Sequence, residues 1–117
     1  MLREPGWEVI ASKLAADPAP AVSAPTLAEI GIVLTAKLRR DAGPLVARFL
    51  QEAGLDVIPF TPDHWRVAVE AYARYGKGRH AAALNFGDCL VYAVTKVAGQ
   101  PLLGVGADFA KTDLPVA

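Results

Sequence analysis

Four carboxylates stand at positions where a parallel α/β sheet would form a ligand site. Glu29 lies in the second turn of a helix that follows the short extended segment AVSA, and Asp88 lies in the first turn of a later apolar helix. Asp108 follows the apolar segment PLLGV almost directly, and Asp113 comes five residues after it. Because ligand sites form at the carboxyl ends of parallel strands, we expect Glu29 and Asp108 at this edge of the sheet, and Asp88 faces the same edge if its helix begins there.

Clustered carboxylates of this kind bind hard divalent cations. Magnesium takes oxygen ligands and keeps several of its waters. Two such ions can activate a water and stabilise the departing oxygen when a phosphodiester is cleaved. The N-terminal end of its helix favours the ionised form of Asp88 that a ligand requires. The acidic residues therefore predict a metal site suited to phosphodiester hydrolysis.

Each carboxylate also has a purely structural interpretation. Asp88 comes three residues after Asn85, which is the spacing of a capping box at a helix N-terminus. Glu29 fits a solvated position beside an apolar stripe. Asp108 and Asp113 fit turns, where aspartate is common. Spacing alone leaves these alternatives open.

A glycine-rich basic segment, YGKGRHAAAL, precedes the helix that carries Asp88. Lys77 and Arg79 in this segment are candidates for contact with phosphate groups, and a solvated loop is the alternative. The segment lacks the GxxxxGK[ST] spacing of a P-loop, and GVGADF lacks the third glycine of a dinucleotide fingerprint. Cys89 is interpreted as a small core residue.

Helical and extended segments alternate along the chain, which favours a parallel sheet covered by helices. Extended segments are predicted at Ala21–Ala24, Leu55–Phe60, PLLGV and LPVA. The helices are predicted around the stripe Trp7, Ile10 and Leu14, from Pro25, from Asp41 to Gly54, after Thr61, and from Phe86 to about Gly99. In the helix after Thr61 the apolar spacing predicts that Trp65 and Tyr72 lie in the core.

Length and composition indicate one small domain. The chain has 117 residues, which suits a single core. Twelve basic and twelve acidic residues cancel, so net charge gives no indication of a polyanionic partner. A single cysteine fits a reducing compartment, and no apolar run approaches the roughly 18 residues that cross a bilayer. We therefore expect one soluble, cytoplasmic α/β domain without a membrane partner.

Two segments resemble a known protein family. YGKGRHAAALNFGDCLVYAVTKVAGQPLLGVGADFAKTDL (Tyr75–Leu114) closely resembles the C-terminal half of the VapC-type PIN-domain ribonuclease toxins. APTLAEIGIVL (Ala24–Leu34) resembles the helix of that family that carries a glutamate. The likeness covers most of the chain, and the run from Gly76 through Asp88 to Asp108 is its most specific part.

The resemblance implies a PIN-like three-layer α/β/α fold with a central parallel sheet. It also implies a divalent-metal-dependent endoribonuclease, using Mg²⁺ or Mn²⁺, that acts as the toxin of a toxin–antitoxin pair. The implied partners are an RNA substrate, a small VapB-like antitoxin and a second copy of the chain in a homodimer.

The resemblance also assigns roles to individual residues. Asp113 falls where the family often has a further aspartate that supports the metal site. Lys77 and Arg79 would lie near the bound RNA. The catalytic, metal-binding acids at the matching positions would be Glu29, Asp88 and Asp108.

The start of the chain departs from the family pattern. The family opens with an apolar strand that ends in aspartate followed by Thr or Ser, whereas this chain begins at MLREPG. Asp17 is no substitute, because it lies in the turn ADPAP. We therefore expect residues 1–117 to form a single PIN-like domain that is truncated at its N-terminus. Such a domain would bind metal poorly and have low stability unless another chain covers it.

The departure gives two functional hypotheses from different classes. The first is a metal-dependent endoribonuclease toxin in which metal-bound water attacks the RNA phosphodiester. The second is a catalytically impaired PIN-fold interaction module that binds an antitoxin or a second copy. A small-molecule-binding α/β domain, which would show a ligand-shaped apolar pocket without clustered acids, is the third and weakest.

Overall fold

The computed structural model describes residues 21–105, 109 and 111–114. None of the helices in this part of the chain is long and apolar enough to cross a membrane. The helix predicted around Trp7, the residue Asp108 and all but the first residue of the predicted strand LPVA lie outside the described residues. The elements, in chain order, are β1 (Ala21–Ser23), α1 (Ala24–Leu38), α2 (Gly43–Ala53), β2 (Asp56–Ile58), α3 (Trp65–Tyr75) and α4 (Phe86–Ala98).

The two described strands pair in parallel. Ala21 lies opposite Asp56 and Ser23 lies opposite Ile58. Because α1 and α2 lie between the strands in the chain, they form the long crossover connection that parallel strands need. The prediction of an α/β fold with a parallel sheet is confirmed.

The prediction of a strand at PLLGV is wrong. Residues 101–105 have no strand pairing and contain a turn. Gly104 adopts φ +83°, a left-handed conformation that interrupts an extended chain. The segment still lies beside β1, because the N–H of Leu103 donates to the carbonyl of Ala21 at 2.9 Å.

The first two helices begin and end close to the predicted positions, although the N-cap residue of α2 is Ala42 and not the predicted Asp41. Ser23 caps α1, since its Oγ accepts the N–H of Thr26 at 3.2 Å, and the helix begins one residue before the predicted position. Before α2, Asp41 Oδ1 accepts the N–H of Gly43 at 2.8 Å. Gly54 ends α2 with φ +64°, as predicted.

Helix α3 begins one turn later than predicted. We expected Thr61 to be its cap, but the helix begins at Trp65 after a tight turn. In this turn the N–H of His64 donates to the carbonyl of Thr61 at 2.9 Å. The N–H of Thr61 in turn donates to His64 Nδ1 at 2.9 Å. The buried His64 side chain therefore stabilises the turn and delays the helix.

The main core lies between α3 and α4. On α3 the buried face consists of Ala68, Ala71 and Tyr75. The prediction that Trp65 and Tyr72 belong to the core is wrong, because their exposed fractions are 52% and 42%. Two alanines and Tyr75 of α3 face the core, whereas Trp65, Val69 and Tyr72 are exposed. The residues that α4 and the C-terminal segment add to this core are Cys89, Val91, Tyr92, Ala93, Val94, Leu102, Val105, Phe109 and Leu114.

Candidate active site

Asp88 is fixed by a capping box at the N-terminus of α4. Its N–H donates to Asn85 Oδ1 at 2.9 Å, and its Oδ2 accepts the N–H of Asn85 at 3.0 Å. The structural interpretation of Asp88 is therefore confirmed. A metal-binding role is compatible with the capping box, because the bond from the Asn85 N–H uses Oδ2 of Asp88 and not Oδ1.

Packing of α1 against α4 brings Glu29 to the same helix end. Glu29 Oε2 lies 3.7 Å from the point where a Cβ on Gly87 would stand. Gly87 directly precedes Asp88 in the first turn of α4. A side chain at position 87 would occupy space beside the Glu29 carboxylate, so the glycine keeps this corner of the molecule open.

The two carboxylates, Glu29 and Asp88, lack an ion-pair partner among the residues that the structure describes. Two carboxylates near one helix end repel each other unless a positive charge lies between them. Their oxygens are the hard ligands that Mg²⁺ and Mn²⁺ prefer. The donor chemistry of this corner therefore fits a divalent cation.

A third ligand is not found among residues 21–105, 109 and 111–114. In this part of the chain no three His, Cys, Asp or Glu side chains are close enough to hold a metal together. Asp108, the third predicted ligand, lies outside the described residues. Its place in a metal site stays a prediction.

Asp113 contacts the middle and the last turn of α4 rather than its first turn. Its Oδ1 accepts the hydroxyl of Tyr92 at 2.5 Å, and its Oδ2 accepts Lys96 Nζ at 2.5 Å. Arg74 Nη1 lies 3.9 Å from the same Oδ2. Tyr92 and Lys96 follow Asp88 by about one and two helical turns, or about 6 and 12 Å along the axis. The supporting metal role predicted for Asp113 is untested, while these contacts give it a structural one.

The surroundings of Asp113 and Tyr92 change the pKa of both groups. Partial burial acts to raise the pKa of Asp113, but the hydrogen bonds from Lys96 and Tyr92 and the charge of Lys96 outweigh it, so the pKa is lowered. Burial, together with the hydrogen bond to Asp113, raises the pKa of the Tyr92 hydroxyl far above its usual value. Tyr92 is therefore a fixed hydrogen-bond donor to an ionised carboxylate.

The basic loop leads directly into the helix that carries Asp88. The loop is closed by two bonds, from the N–H of Lys77 to the carbonyl of Leu84 and from the N–H of Leu84 to the carbonyl of Tyr75, each 2.9 Å. Lys77 and Arg79 are exposed. The Arg79 guanidinium lies 5.6 Å from the centre of the Tyr72 ring. Their predicted contact with RNA stays a prediction, and both side chains are exposed on the loop that precedes α4.

Sequence reasoning missed an apolar groove between α3 and α4. Its volume is about 610 Å³. Phe86, two residues before Asp88, is 78% exposed at its edge. The sequence of α3 could have indicated the groove, because both faces of that helix carry apolar residues and only one face can pack on α4. The lining residues are Phe60, Trp65, Ala68, Val69, Tyr72, Phe86, Cys89 and Leu90.

Cys89, predicted to be a small core residue, lies on the buried side of this groove. Cys89 is 4% exposed and makes no disulfide. Burial and the neighbouring Asp88 charge raise the pKa of the Cys89 thiol. A raised pKa keeps the sulfur protonated and unreactive, so the prediction of a core role is confirmed.

Comparisons with known proteins agree on one family. A family model described as the PIN domain matches residues 1–114. The chain is 49% identical to Ribonuclease VapC36 of Mycobacterium tuberculosis over 110 residues, which cover 94% of this chain and 79% of that protein. It is 39% identical to Ribonuclease VapC of Mycolicibacterium smegmatis over 111 residues, covering 95% of this chain and 86% of the relative. It is 37% identical to Ribonuclease VapC30 of Mycobacterium tuberculosis over 111 residues, which cover 95% of this chain and 85% of that protein.

Proposed function

Because the chain belongs to the PIN-domain family, we propose that it is a divalent-metal-dependent endoribonuclease and the toxin of a toxin–antitoxin pair. Relatives that it matches over most of their length are named as VapC ribonucleases. The observation that carries the proposal is the approach of Glu29 to the first turn of α4, beside Asp88. Carboxylates from two separate elements approach the same helix end, and neither forms an ion pair with another described residue.

The proposed metal site is formed by Glu29, Asp88 and Asp108, with Asp113 as a further candidate. Mg²⁺ or Mn²⁺ at this site would supply an activated water and stabilisation of negative charge on the phosphate. The capping box orients Asp88 through its Oδ2. Glu29 approaches from α1 over the open position of Gly87.

The proposed RNA contacts come from the loop before α4. Lys77 and Arg79 are exposed in that loop, and their charges would bind the phosphates on either side of the cleaved bond. The loop joins α4 three residues before Asp88, so a phosphate chain held there passes close to the acids. Because RNA and a protein antitoxin are the proposed partners, we also propose that the chain acts in the cytoplasm.

A cleavage assay with matched variants tests the proposal. Asp88→Asn keeps a side-chain oxygen that can accept the Asn85 N–H, so it removes charge with little loss of folding. We expect cleavage of RNA in Mg²⁺ to fall by about 100-fold or more, since metal stabilisation contributes several kcal/mol. Glu29→Gln should act in the same way. Asp56→Asn, which neutralises an exposed acid on β2, is the control and should cleave like the wild type.

Binding of Mn²⁺, followed by calorimetry, provides a readout that does not depend on cleavage. Asp88→Asn and Glu29→Gln should each weaken it, and Asp56→Asn should not. Wild-type binding and cleavage that equal those of Asp88→Asn would refute the assignment of the site.

A non-catalytic interaction module is the second candidate, and the exposed groove favours it. Trp65, Val69, Tyr72 and Phe86 expose large apolar side chains along this groove. Such a surface suits binding of an antitoxin or a second copy, and we propose a homodimer on this ground. The cleavage assay separates the candidates, because a pure interaction module would show no Mg²⁺-dependent cleavage with intact carboxylates.

A further inference from the structure

Asp113 is held by side chains from two helices. The Tyr92 hydroxyl donates to its Oδ1 and Lys96 Nζ donates to its Oδ2, each at 2.5 Å. Arg74 of α3 lies 3.9 Å from the same Oδ2. We call the contact of Asp113 with Tyr92 and Lys96 the latch, because it joins the C-terminal segment to α4.

The segment that the latch holds is short and internally hydrogen-bonded. The N–H and the hydroxyl of Thr112 both donate to the carbonyl of Phe109, at 3.0 and 2.7 Å. The N–H of Leu114 donates to Thr112 Oγ1 at 3.2 Å. Because these bonds close the segment on itself, a shift of Asp113 is passed on to Phe109. Phe109 directly follows Asp108 in the chain.

The latch uses the same face of α4 as the candidate site. Asp88, Tyr92 and Lys96 lie at i, i+4 and i+8, so their side chains follow one another along the helix. Each step is about one helical turn, or about 6 Å along the axis. The first turn of this face carries Asp88, and the next two turns hold the segment that follows Asp108. One rigid helix therefore supports both parts of the proposed metal site.

The surroundings of Asp113 are not those of a metal ligand. Both of its oxygens accept side-chain donors, and the Lys96 ammonium would repel a divalent cation at Oδ2. The described acids Glu29, Asp88 and Asp113 do not form a group of three that could hold a metal. Asp113 instead lines a pocket of about 220 Å³ between α3 and α4, together with Arg74 and Lys96.

We propose that Asp113 is a positioning residue of the metal site, which acts through the latch and does not bind the metal. It holds the segment after Asp108 at a fixed place on the face of α4 that begins with Asp88. Tyr92 and Lys96 share this role, which replaces that of a candidate ligand for Asp113. The proposal rests on the metal site of the proposed function.

Calorimetry of Mn²⁺ binding to the full chain tests this role, under conditions where circular dichroism shows each variant to be folded. Tyr92→Phe leaves every acid in place, so any loss of affinity must come through the latch. We expect Tyr92→Phe and Asp113→Asn each to weaken Mn²⁺ binding by about tenfold, the lower end of the range for groups that orient metal ligands. The double variant should bind Mn²⁺ as Asp113→Asn does, since both changes break one contact.

Gly54→Ala is the control for a general loss of stability. Its Cβ meets no other atom, but the φ of +64° strains any side chain at the end of α2. The variant is therefore destabilised without a change at α4 or in the C-terminal segment, and it should bind Mn²⁺ like the wild type.

Amide hydrogen exchange in the metal-free chain tests the latch without any binding. The N–H groups of Thr112 and Leu114 donate within the segment, and opening of the segment exposes them to exchange. We expect both amides to exchange at least threefold faster in Tyr92→Phe than in Gly54→Ala.

Three results would overturn the proposal. Weaker Mn²⁺ binding in Asp113→Asn but not in Tyr92→Phe would make Asp113 a metal ligand. Wild-type Mn²⁺ affinity in both variants would limit the latch to a role in stability. Equal exchange in Tyr92→Phe and Gly54→Ala would show that the segment is held without the latch. Failure of the proposed function gives a different result, because Asp88→Asn would then bind Mn²⁺ like the wild type.

Discussion

Replacing Tyr92 by Phe removes one hydroxyl from the core face of α4 and leaves the ring in place. The lost bond joins the Tyr92 hydroxyl to Asp113 Oδ1 at 2.5 Å. Hydrogen bonds to charged groups contribute about 1.5–3 kcal/mol to folding. Tyr92 is buried, but the Asp113 side chain is 30% exposed, so water can replace the hydroxyl on the acceptor side. We therefore expect the lower part of that range, about 1.5–2 kcal/mol.

The second partner of Asp113 should matter less. Lys96 and Asp113 have side-chain exposed fractions of 47% and 30%. Ion pairs this accessible to solvent contribute about 0.2–1 kcal/mol. Lys96→Met should therefore cost less than Tyr92→Phe, although the two variants remove bonds of equal length to the same carboxylate.

Urea unfolding of the full chain measures both effects. Asp113→Asn and the double variant Tyr92→Phe/Asp113→Asn complete a cycle, and we expect the double variant to cost less than the sum of the single ones because the residues share one contact. Since folding lowers the pKa of Asp113, its contribution is fully present above the unfolded pKa of about 4. It is lost as the pH falls through the lower folded pKa.

The difference in unfolding free energy between wild type and Tyr92→Phe should accordingly shrink once the pH falls below the folded pKa of Asp113. A cost below about 0.5 kcal/mol at neutral pH would contradict the range given for a charged hydrogen bond. A difference that stays the same when Asp113 is protonated would also refute the reasoning.

Three further substitutions test the corner at α4 and the turn beside β1. Asn85→Ala removes the cap of α4 and should cost about 1 kcal/mol in urea unfolding; no loss would show that the capping box contributes nothing. Gly87→Val places a branched side chain near Glu29 and should weaken Mn²⁺ binding in calorimetry more than Gly87→Ala does, whereas equal affinities would contradict the proposed site. Gly104→Ala forces a Cβ into the left-handed region, 3.0 Å from Thr26 Cγ2. It should lower the free energy of unfolding by about 1–3 kcal/mol, more than Gly54→Ala, where the Cβ meets open space.

Local signals in the sequence predicted several helix ends. Gly54 ends α2 through its positive φ, and Asn85 caps α4 through its side chain, because each satisfies a local backbone requirement. These requirements involve residues three or four positions apart, so the sequence contains them in full. The predicted start of α3 was wrong because the buried His64 ring accepts the N–H of Thr61. The helical spacing of apolar residues contains no information about such a bond.

The orientation of α3 could not be predicted, because it depends on the space beside α4. Both faces of the helix carry apolar residues at helical spacing, and the larger side chains indicated the face with Trp65. The structure buries Ala68 and Ala71 instead. Alanines let two helix backbones approach closely, which leaves Trp65 and Tyr72 outside. The residues of α3 thus determine that it is a helix, whereas the packing against α4 determines which of its faces is buried.

The candidate site shows the same division between local and long-range information. The capping partners Asn85 and Asp88 are three residues apart, and their spacing predicted the bond. The approach of Glu29 depends on how α1 packs on α4, and only the fold shows it. Asp113 was grouped with the metal acids by resemblance, but its described contacts are with Tyr92 and Lys96.

The capping box and a metal-binding role for Asp88 support each other. The Asn85 N–H holds Oδ2 at 3.0 Å, so the carboxylate is oriented by the backbone before any cation binds. A ligand that is fixed in advance loses less conformational entropy on binding and keeps its geometry. Asp88→Asn leaves this orientation largely intact and removes the charge, whereas Asp88→Ala removes both. If orientation contributes to affinity, Asp88→Ala should bind Mn²⁺ more weakly than Asp88→Asn and should also unfold at lower urea concentration. Equal Mn²⁺ affinities for the two variants would show that the charge of Asp88 alone accounts for its effect.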